Sequence, residues 1–261
     1  MATFSHLFSS ALTQELGSED STQLFTTARR QDAINAGVLA FADLTECYRR
    51  ESTITCSNGT GEYNLLSTAN IVDGDYLKLS KQRPEWTLTD SNSNLRTVSG
   101  EDFPRREVEW LNQYEPGWRN STGDTPQAYY ERMDGGRRLI GLWPPPRIGS
   151  SETAVIRLPY VARPPVMTAS TDLPFTSTAG SRTDLEPYHQ AFAHYAASEL
   201  EKLRKDDQAI ATQMQVFLAY VQRFLDSLKP KGGQQVKHAR SYFNEARQGR
   251  YSQSGIRAWP W

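Results

Sequence analysis

The stretch Ala33-Ile34-Asn35-Ala36-Gly37-Val38-Leu39-Ala40-Phe41-Ala42-Asp43-Leu44 decides how the chain begins to fold. Its apolar residues Ile34, Val38, Phe41 and Leu44 recur at steps of four, three and three. In a helix of 3.6 residues per turn, this spacing places them on one stripe. An apolar stripe is stable only when another element covers it, so the sequence predicts that this helix packs against other helices.

A shorter helix is predicted before this one, from about Thr3 to Leu16. Gly17 would end it, because glycine readily adopts the left-handed conformation that closes helices. Ser18 to Ser21 would link the two helices.

The helical period returns near the carboxyl end of the chain, from Leu185. One predicted apolar face consists of Tyr188, Phe192, Tyr195, Ala196, Leu200 and Leu203. After a break near Asp206-Asp207, a second face consists of Ile210, Met214, Phe217, Val221, Phe224, Leu225 and Leu228. Pro230 and the Gly232-Gly233 pair would stop the second helix.

The middle of the chain has the short, β-branched and aromatic runs that are typical of strands. Ser52 to Cys56 and Glu62 to Leu65 flank the turn signal Ser57-Asn58-Gly59, which predicts a hairpin. Further strands are predicted at Tyr76–Leu79, Trp86–Thr89, Glu107–Trp110, Ala128–Arg132, Arg138–Leu142 and Ala154–Leu158. Met133 to Arg137 would form another hairpin turn, and Pro144-Pro145-Pro146 would end the strand that follows.

These elements predict an α+β protein. Residues 1–50 and 184–229 would form an antiparallel helical bundle from the N- and C-terminal helices. Residues 51–183 would be an inserted small β-sandwich or barrel. Residues 230–261, called the C-terminal arm below, would be extended.

The composition is that of a soluble globular protein. The 261 residues are 38% hydrophobic and 23% charged, and no run approaches the roughly 20 apolar residues that cross a bilayer. The start, Met1 to His6, lacks the basic and apolar regions of a secretory signal, so we expect the chain to stay in a cytoplasm. Cys47 and Cys56 match no zinc or redox spacing and are expected to be reduced, partly buried thiols.

Charge is distributed unevenly along the chain. From Lys229 to Trp261 there are seven Lys or Arg and one acid, which gives +6. The remaining residues carry 22 bases and 29 acids, which gives -7. An acidic body with a basic end indicates a contact between the end and an acidic partner.

The C-terminal arm is rich in aromatic residues, which a solvated tail normally lacks because exposed rings cost free energy in water. Trp and Arg often anchor protein interfaces, and Trp259-Pro260-Trp261 has little conformational entropy to lose. The residues predicted to dock on another protein are Arg240, Tyr242, Phe243, Arg247, Arg250, Tyr251, Ile256, Arg257, Trp259 and Trp261.

The main alternative is a nucleic-acid-binding module, since the same cations neutralise phosphates and the same rings stack on bases. The acidic body and a pI near 6.4 favour protein docking instead, because a dedicated binder usually has a basic face.

No catalytic or metal-binding residue can be nominated from the sequence. The motifs of serine hydrolases, phosphate-binding loops, zinc proteases and dinucleotide-binding enzymes do not occur. His189 and His194 are five residues apart, which separates them by about 140° on a helix and predicts residues at the edge of a core. Acids such as Glu101-Asp102 and Glu107 with Glu109 are interpreted as solvated. A glycosidase with two distant acids remains a third alternative. No cofactor and no metal are expected.

Several segments occur in an order that spans Ile34 to Leu228. They are Ile34–Phe41, Thr45–Thr55, Gly59–Leu65, Tyr129–Glu131, Leu139–Pro146, Leu158–Tyr160 and Leu185–Ala197. This order resembles that of the head-tail adaptor proteins of tailed bacteriophages. The chain departs from the family's usual pattern after Leu65, where Leu66 and Ser67 stand in place of a frequent proline.

The resemblance implies a non-catalytic structural protein of the virion neck that resides in the host cytoplasm during assembly. It implies a ring, commonly of about twelve copies, beneath the capsid portal. The partners would be the portal protein, further copies of the chain and a downstream tail or nozzle protein, with no membrane involved. Genomic DNA would pass through the lumen without sequence recognition, which an acidic wall favours because it repels phosphate. The arm would reach the portal, so its ten docking residues become the predicted portal-binding site.

Overall fold

The structure, a computed structural model, describes residues 3–16, 25–65, 71, 75–176 and 182–229. It combines helices with antiparallel sheets, which confirms the predicted α+β class. The helices are α1 (Phe4–His6), α2 (Leu12–Leu16), α3 (Thr27–Thr45), α4 (Val108–Tyr114), α5 (Gln190–Arg204) and α6 (Asp207–Ser227). A π-helical turn covers Leu7–Ala11, and 3-10 helices cover Gly100–Asp102, Trp118–Asn120 and Thr183–Tyr188. The strands are β1 (Arg49–Thr55), β2 (Glu62–Asn64), β3 (Tyr76–Leu79), β4 (Glu85–Thr89), β5 (Leu95–Val98), β6 (Ala128–Asp134), β7 (Arg137–Trp143) and β8 (Thr153–Ala162).

The N-terminal helices form where the sequence predicts them. Helical turns run from Phe4 to Leu16, while the predicted stop at Gly17 and the link from Ser18 to Ser21 lie outside the described residues. The side chain of Thr26 caps α3 by accepting a hydrogen bond from the backbone amide of Arg29. Glu46 ends α3 in the left-handed conformation, at a φ of 53°.

The apolar stripe of α3 is confirmed for three of its four residues. Ile34, Val38 and Phe41 are buried, but Leu44 is 45% exposed, so its predicted place in the core is wrong. At about 100° per residue, Leu44 has rotated about 80° away from Ile34, whereas Thr45 returns to within about 20° of it. Thr45 is buried instead, and its hydroxyl donates to the backbone carbonyl of Phe41 at 2.6 Å.

The break between the C-terminal helices is confirmed. Lys205 adopts a left-handed conformation, and the carboxylate of Asp206 caps α6 by accepting from the amide of Ala209 at 2.9 Å. Most residues of the two predicted apolar faces are buried or partly buried, but Leu203 and Leu228 are 44% and 59% exposed. Both lie at the C-terminal ends of their helices, beyond the packed middle.

Helix α3 packs closely on α5 at Gly37. A β-carbon at this position would stand 2.9 Å from the backbone carbonyl oxygen of Phe192, so a larger residue would push the helices apart. The absence of a side chain at Gly37 therefore allows the close approach of α3 and α5.

The strands form two antiparallel sheets. The larger has five strands in the order β1-β8-β4-β5, with β3 also paired to β8, and the smaller has the order β2-β7-β6. The ten-residue strand β8 is the centre of the larger sheet because it pairs with β1, β3 and β4.

The predicted hairpin between Ser52–Cys56 and Glu62–Leu65 is wrong. Strand β1 pairs with β8 and β2 pairs with β7, so the turn at Asn58-Gly59 carries the chain from one sheet to the other. Strand β8 offers β1 a ladder of seven paired residues, from Arg49 to Thr55. A local turn signal cannot reveal so distant a partner.

The predicted strand at Glu107–Trp110 is also wrong, because α4 begins at Val108. A four-residue alternation is too short to separate strand from helix, and here the helical spacing buries Leu111 completely. The other seven predicted strands are confirmed, including the two runs of the wrongly paired hairpin, whereas β5, which pairs with β4, was not predicted.

The hairpin turn between β6 and β7 is confirmed. Asp134 pairs with Arg137 across Gly135 and Gly136, which have φ values of 53° and 80°. Such angles favour glycine at both central positions. Strand β7 ends at Trp143, immediately before the predicted stop at Pro144.

In the smaller sheet, the ring of Tyr130 lies over Gly141 on the neighbouring strand. The two residues are register partners, Tyr130 is 1% exposed, and a β-carbon on Gly141 would overlap the ring. We expect Gly141→Val to lower the free energy of unfolding by about 1–3 kcal/mol through overpacking, measured by urea denaturation. In the double variant Gly141→Val with Tyr130→Ala, the loss should be smaller than the sum of the single losses. Strictly additive losses would contradict the clash.

One large hydrophobic core joins helices and sheets. Phe41 and Phe192 from the helices and Ile54, Trp86 and Ile156 from the larger sheet belong to the same cluster of buried residues. A second, small cluster consists of Leu111, Trp118 and Tyr130 beneath α4. The division of the chain into a bundle and an inserted β unit stays a prediction.

Candidate interaction surfaces

The ten residues of the predicted portal-binding site lie in the C-terminal arm, outside the described residues. They are Arg240, Tyr242, Phe243, Arg247, Arg250, Tyr251, Ile256, Arg257, Trp259 and Trp261. Their role therefore stays a prediction, and candidate surfaces on the folded body must be sought elsewhere.

Two aromatic rings of α4 and an arginine two residues before the helix lie in a row. The guanidinium of Arg106 stacks over the Trp110 ring at 4.4 Å, and the Trp110 and Tyr114 rings are 5.3 Å apart. Arg106 and Tyr114 are exposed and Trp110 is half-buried. We call this row the α4 ladder. Arg, Trp and Tyr are the residue types most enriched at the energetic centres of protein interfaces, so the α4 ladder is a candidate protein-binding surface.

The small core beneath α4 holds the α4 ladder in place. Trp118 packs edge-on against Tyr130 at 5.2 Å, and its indole N–H donates to the side-chain oxygen of Asn112 at 2.9 Å. Leu111 is fully buried beside them. The ladder therefore stands on a fixed base, which limits the entropy lost on binding.

The Glu62 carboxylate joins two strands that are not neighbours in the smaller sheet. It accepts two hydrogen bonds from Arg132, at 2.8 and 2.7 Å, and one from the Tyr130 hydroxyl at 2.9 Å. Hydrogen bonding from Arg132 holds the pKa of Glu62 below its usual value, and burial raises the pKa of Tyr130. An ionised carboxylate with three donors serves as a structural acceptor and is poorly suited to act as a general acid.

A second polar network connects the two sheets. The Tyr76 hydroxyl of β3 donates to Glu131 of β6 at 3.0 Å, and the Arg105 and Arg138 guanidiniums lie 3.4 and 3.8 Å from the same carboxylate. Burial raises the pKa of Tyr76, so its hydroxyl remains a donor at neutral pH. These groups satisfy one another, which indicates a structural tie between the sheets.

His189 and His194 both lie in the helical core, as their spacing predicts. His189 and His194 are 3% and 8% exposed. Nδ1 of His194 is 2.8 Å from the side-chain oxygen of Gln213 and 3.3 Å from the carboxylate of Glu15. Within residues 3–16, 25–65, 71, 75–176 and 182–229, no group of three His, Cys, Asp or Glu could hold a metal ion.

The two cysteines are free and buried. Burial raises the pKa of each thiol to about 11, so both are protonated and unreactive at neutral pH. Free, reduced thiols are the predicted state, although both are buried more completely than expected.

A polar groove of about 620 Å³ lies where the Asn58-Gly59 turn meets the loop before β8. Arg147 in this groove donates to the Thr122 hydroxyl at 3.0 Å, and Glu152 accepts from the amide of Gly149 at 2.6 Å. These contacts use the charged groups to fix the loop.

The predicted solvated acids Glu101, Asp102, Glu107 and Glu109 are all exposed.

Sequence reasoning missed the α4 ladder because Glu107–Trp110 was assigned to a strand. The spacing of Arg106, Trp110 and Tyr114, at steps of four, was the available signal.

Among the described helices, none is long and apolar enough to span a bilayer.

The chain is similar to a known protein family over nearly its whole length. The SU10 adaptor protein family model matches residues 2–249, which covers every described helix and strand. The matched region includes four of the ten predicted docking residues, Arg240, Tyr242, Phe243 and Arg247, and ends before the other six. No curated protein matches the chain.

Proposed function

Because the chain belongs to the SU10 adaptor protein family, we propose that it forms the adaptor ring that joins the portal of a phage head to the tail. The family consists of structural phage adaptors and is not an enzyme family, so the chain is a component of the virion. The match over residues 2–249 is the observation that carries this proposal.

The ring would contain about twelve copies and would sit beneath the portal in the neck. The helices of residues 1–50 and 184–229 would form the bundle that builds its wall, and residues 51–183 would form the inserted β unit. Assembly would take place in the host cytoplasm. The C-terminal arm would dock on the portal through its arginine and aromatic side chains, which have the composition of interface anchors.

The lumen of the ring would pass genomic DNA without reading its sequence. Support comes from charge, because residues 1–228 carry a net charge of -7. An acidic wall repels phosphates and lets the duplex slide. The basic arm would be held away from DNA because it is bound to protein.

The downstream tail or nozzle protein would bind the α4 ladder. The exposed stack of Arg106, Trp110 and Tyr114 on a rigid base supports this role. These residue types contribute most to interface energies.

Mixing the chain with the portal protein of the same phage tests the proposal. We expect a closed ring of about twelve copies bound to one face of the portal. Native mass spectrometry would give the copy number and electron microscopy the closure and position of the ring. A chain that stays monomeric and unbound at micromolar concentrations of both proteins would refute the adaptor ring.

A further inference from the structure

The outer face of α6 carries no charge over four turns. Residues 208–222 contain no Asp, Glu, Lys or Arg. The exposed positions in this range form what we call the α6 stripe, and they are Gln208, Ala211, Thr212, Gln215, Leu218, Ala219 and Gln222. The opposite face is buried through Phe217 and Val221, so α6 has a covered side and an uncharged exposed side.

The α6 stripe follows a seven-residue repeat. Gln208, Gln215 and Gln222 are seven apart, and Ala211 and Leu218 are seven apart three positions later. Seams of packed helices have this spacing and are usually apolar at both repeat positions. Here Ala211 and Leu218 supply one apolar position, while uncharged glutamines occupy the other. Small residues such as Ala211 and Ala219 allow a second helix to approach closely.

The charge pattern elsewhere on the surface makes the stripe unusual. Helix α5 exposes Lys202, which pairs with Glu199 at 2.6 Å. The larger sheet exposes Arg157 between Glu51 and Glu85, at 3.7 and 3.8 Å. Solvated faces of this chain therefore carry ion pairs, and a face depleted of charge has the composition of an interface core.

The composition of the α6 stripe limits the classes of partner that could bind it. A nucleic acid would require cations, which residues 208–222 lack. A bilayer surface would require a broad apolar face, which three glutamines interrupt. An uncharged protein helix fits both the repeat and the small side chains.

The chain offers such a helix at a second site. Residues 33–42 of α3 also carry no charge, and Ala36 and Leu39 are half-buried on the side away from Ile34 and Val38. A ring built by rotation needs two different complementary faces on each copy. Resting on the proposed adaptor ring, we propose that the α6 stripe of each copy packs against Ala36 and Leu39 on α3 of the next copy.

The size of the stripe explains why this contact works within a ring. Fifteen helical residues are about 22 Å long, and with a width of about 10 Å they bury roughly 200 Å² on each side. A stable pair of proteins buries about 800 Å² on each side, so the stripe alone cannot hold two free copies together. Copies aligned on a common base repeat the contact around the ring, and each copy uses it twice.

The test introduces a charge into the stripe and locates its neighbour. Leu218→Glu should weaken ring assembly on the portal by about tenfold or more, because it places an unpaired carboxylate in the contact. Leu95→Glu is the matched control, since Leu95 is 70% exposed on β5, and it should assemble like the unmodified chain. Circular dichroism of both variants checks that the fold is intact.

Cross-linking identifies the opposing face. A mixture of Leu218→Cys and Leu39→Cys chains should give mixed disulfide dimers, while the buried Cys47 and Cys56 give little background. If Leu218→Glu assembles normally, or if Leu218→Cys forms disulfides only with another Leu218→Cys chain, the inference is wrong and the ring can still stand. If mixed dimers form but no ring binds the portal, the contact stands and the adaptor ring fails. If neither mixed dimers nor a portal-bound ring forms, both the α6–α3 contact and the adaptor ring are refuted.

Discussion

Replacing Phe41 with alanine should lower the free energy of unfolding by about 3–5 kcal/mol, the usual loss for a fully buried phenylalanine. Phe41 is 0% exposed, and its ring lies 5.5 Å from Phe192 and 5.6 Å from Phe224. It also lies within 6.5 Å of the Phe175, Tyr188 and Phe217 rings. Aromatic pairs in tilted and edge-on geometry stabilise one another beyond their burial, so one substitution removes several contacts at once.

Chemical denaturation of the variant measures this loss, and Phe8→Ala provides the comparison. Phe8 is only partly buried and has one ring neighbour among the described residues, Phe4 at 6.5 Å. The same substitution there should lower the free energy of unfolding by clearly less. Equal losses at the two positions would show that Phe41 is not the centre of the helical core.

The prediction of the helices was largely correct because their signal is long and local. Ile34, Val38 and Phe41 lie on one stripe whatever else the chain does, and the break at Asp206 is marked by the cap that this residue provides. The error at Leu44 arose where a spacing of three followed another spacing of three. The stripe then drifted, and Thr45 took the inward position.

The strands were harder to predict because sequence patterns do not name a partner. Seven runs were assigned correctly, yet β1 pairs with β8, whose first residue follows the end of β1 by 98 positions. The turn signal at Asn58-Gly59 is real, but it joins the two sheets. Strand β1 pairs with the distant β8 instead of forming a hairpin with β2. No local sequence pattern encodes this choice of partner.

One candidate surface could be predicted from the sequence alone, whereas the other two required the structure. The arm was singled out by charge and aromatic content, which are visible in the sequence alone. The α4 ladder depends on a helix where alternation indicated a strand, and the α6 stripe depends on knowing which side of α6 is covered. The sequence prediction used only the apolar side of this helix and said nothing about its outer side. The seven-residue spacing of three glutamines on the outer side was nevertheless present in the sequence.

Removing residues 230–261 should abolish portal binding while the body stays folded. Among the described residues, the buried members of the main core run from Phe4 to Phe224, and the truncated chain keeps all of these. The unfolding temperature should therefore change little, and the truncated chain should remain soluble. Substituting alanine for both Trp259 and Trp261 should weaken portal binding by about a hundredfold or more, since an anchoring tryptophan contributes about 2 kcal/mol or more. Surface plasmon resonance or native mass spectrometry measures both losses.

Tyr114→Ala is the control for the arm, because it removes an exposed ring from the α4 ladder, where we place the tail contact. It should leave portal binding unchanged and weaken binding of the downstream protein. Arm peptides should also be tested on DNA at low and at physiological salt. Residues 230–261 carry six Lys or Arg and one Glu, a net charge of +5, and binding of such a segment to phosphate falls steeply with ionic strength. If the truncated chain still binds portal but loses a salt-sensitive affinity for DNA, the arm is a nucleic-acid-binding segment. If it loses portal alone, the arginines and rings of the arm are anchored on protein, and the acidic lumen remains free for DNA to slide.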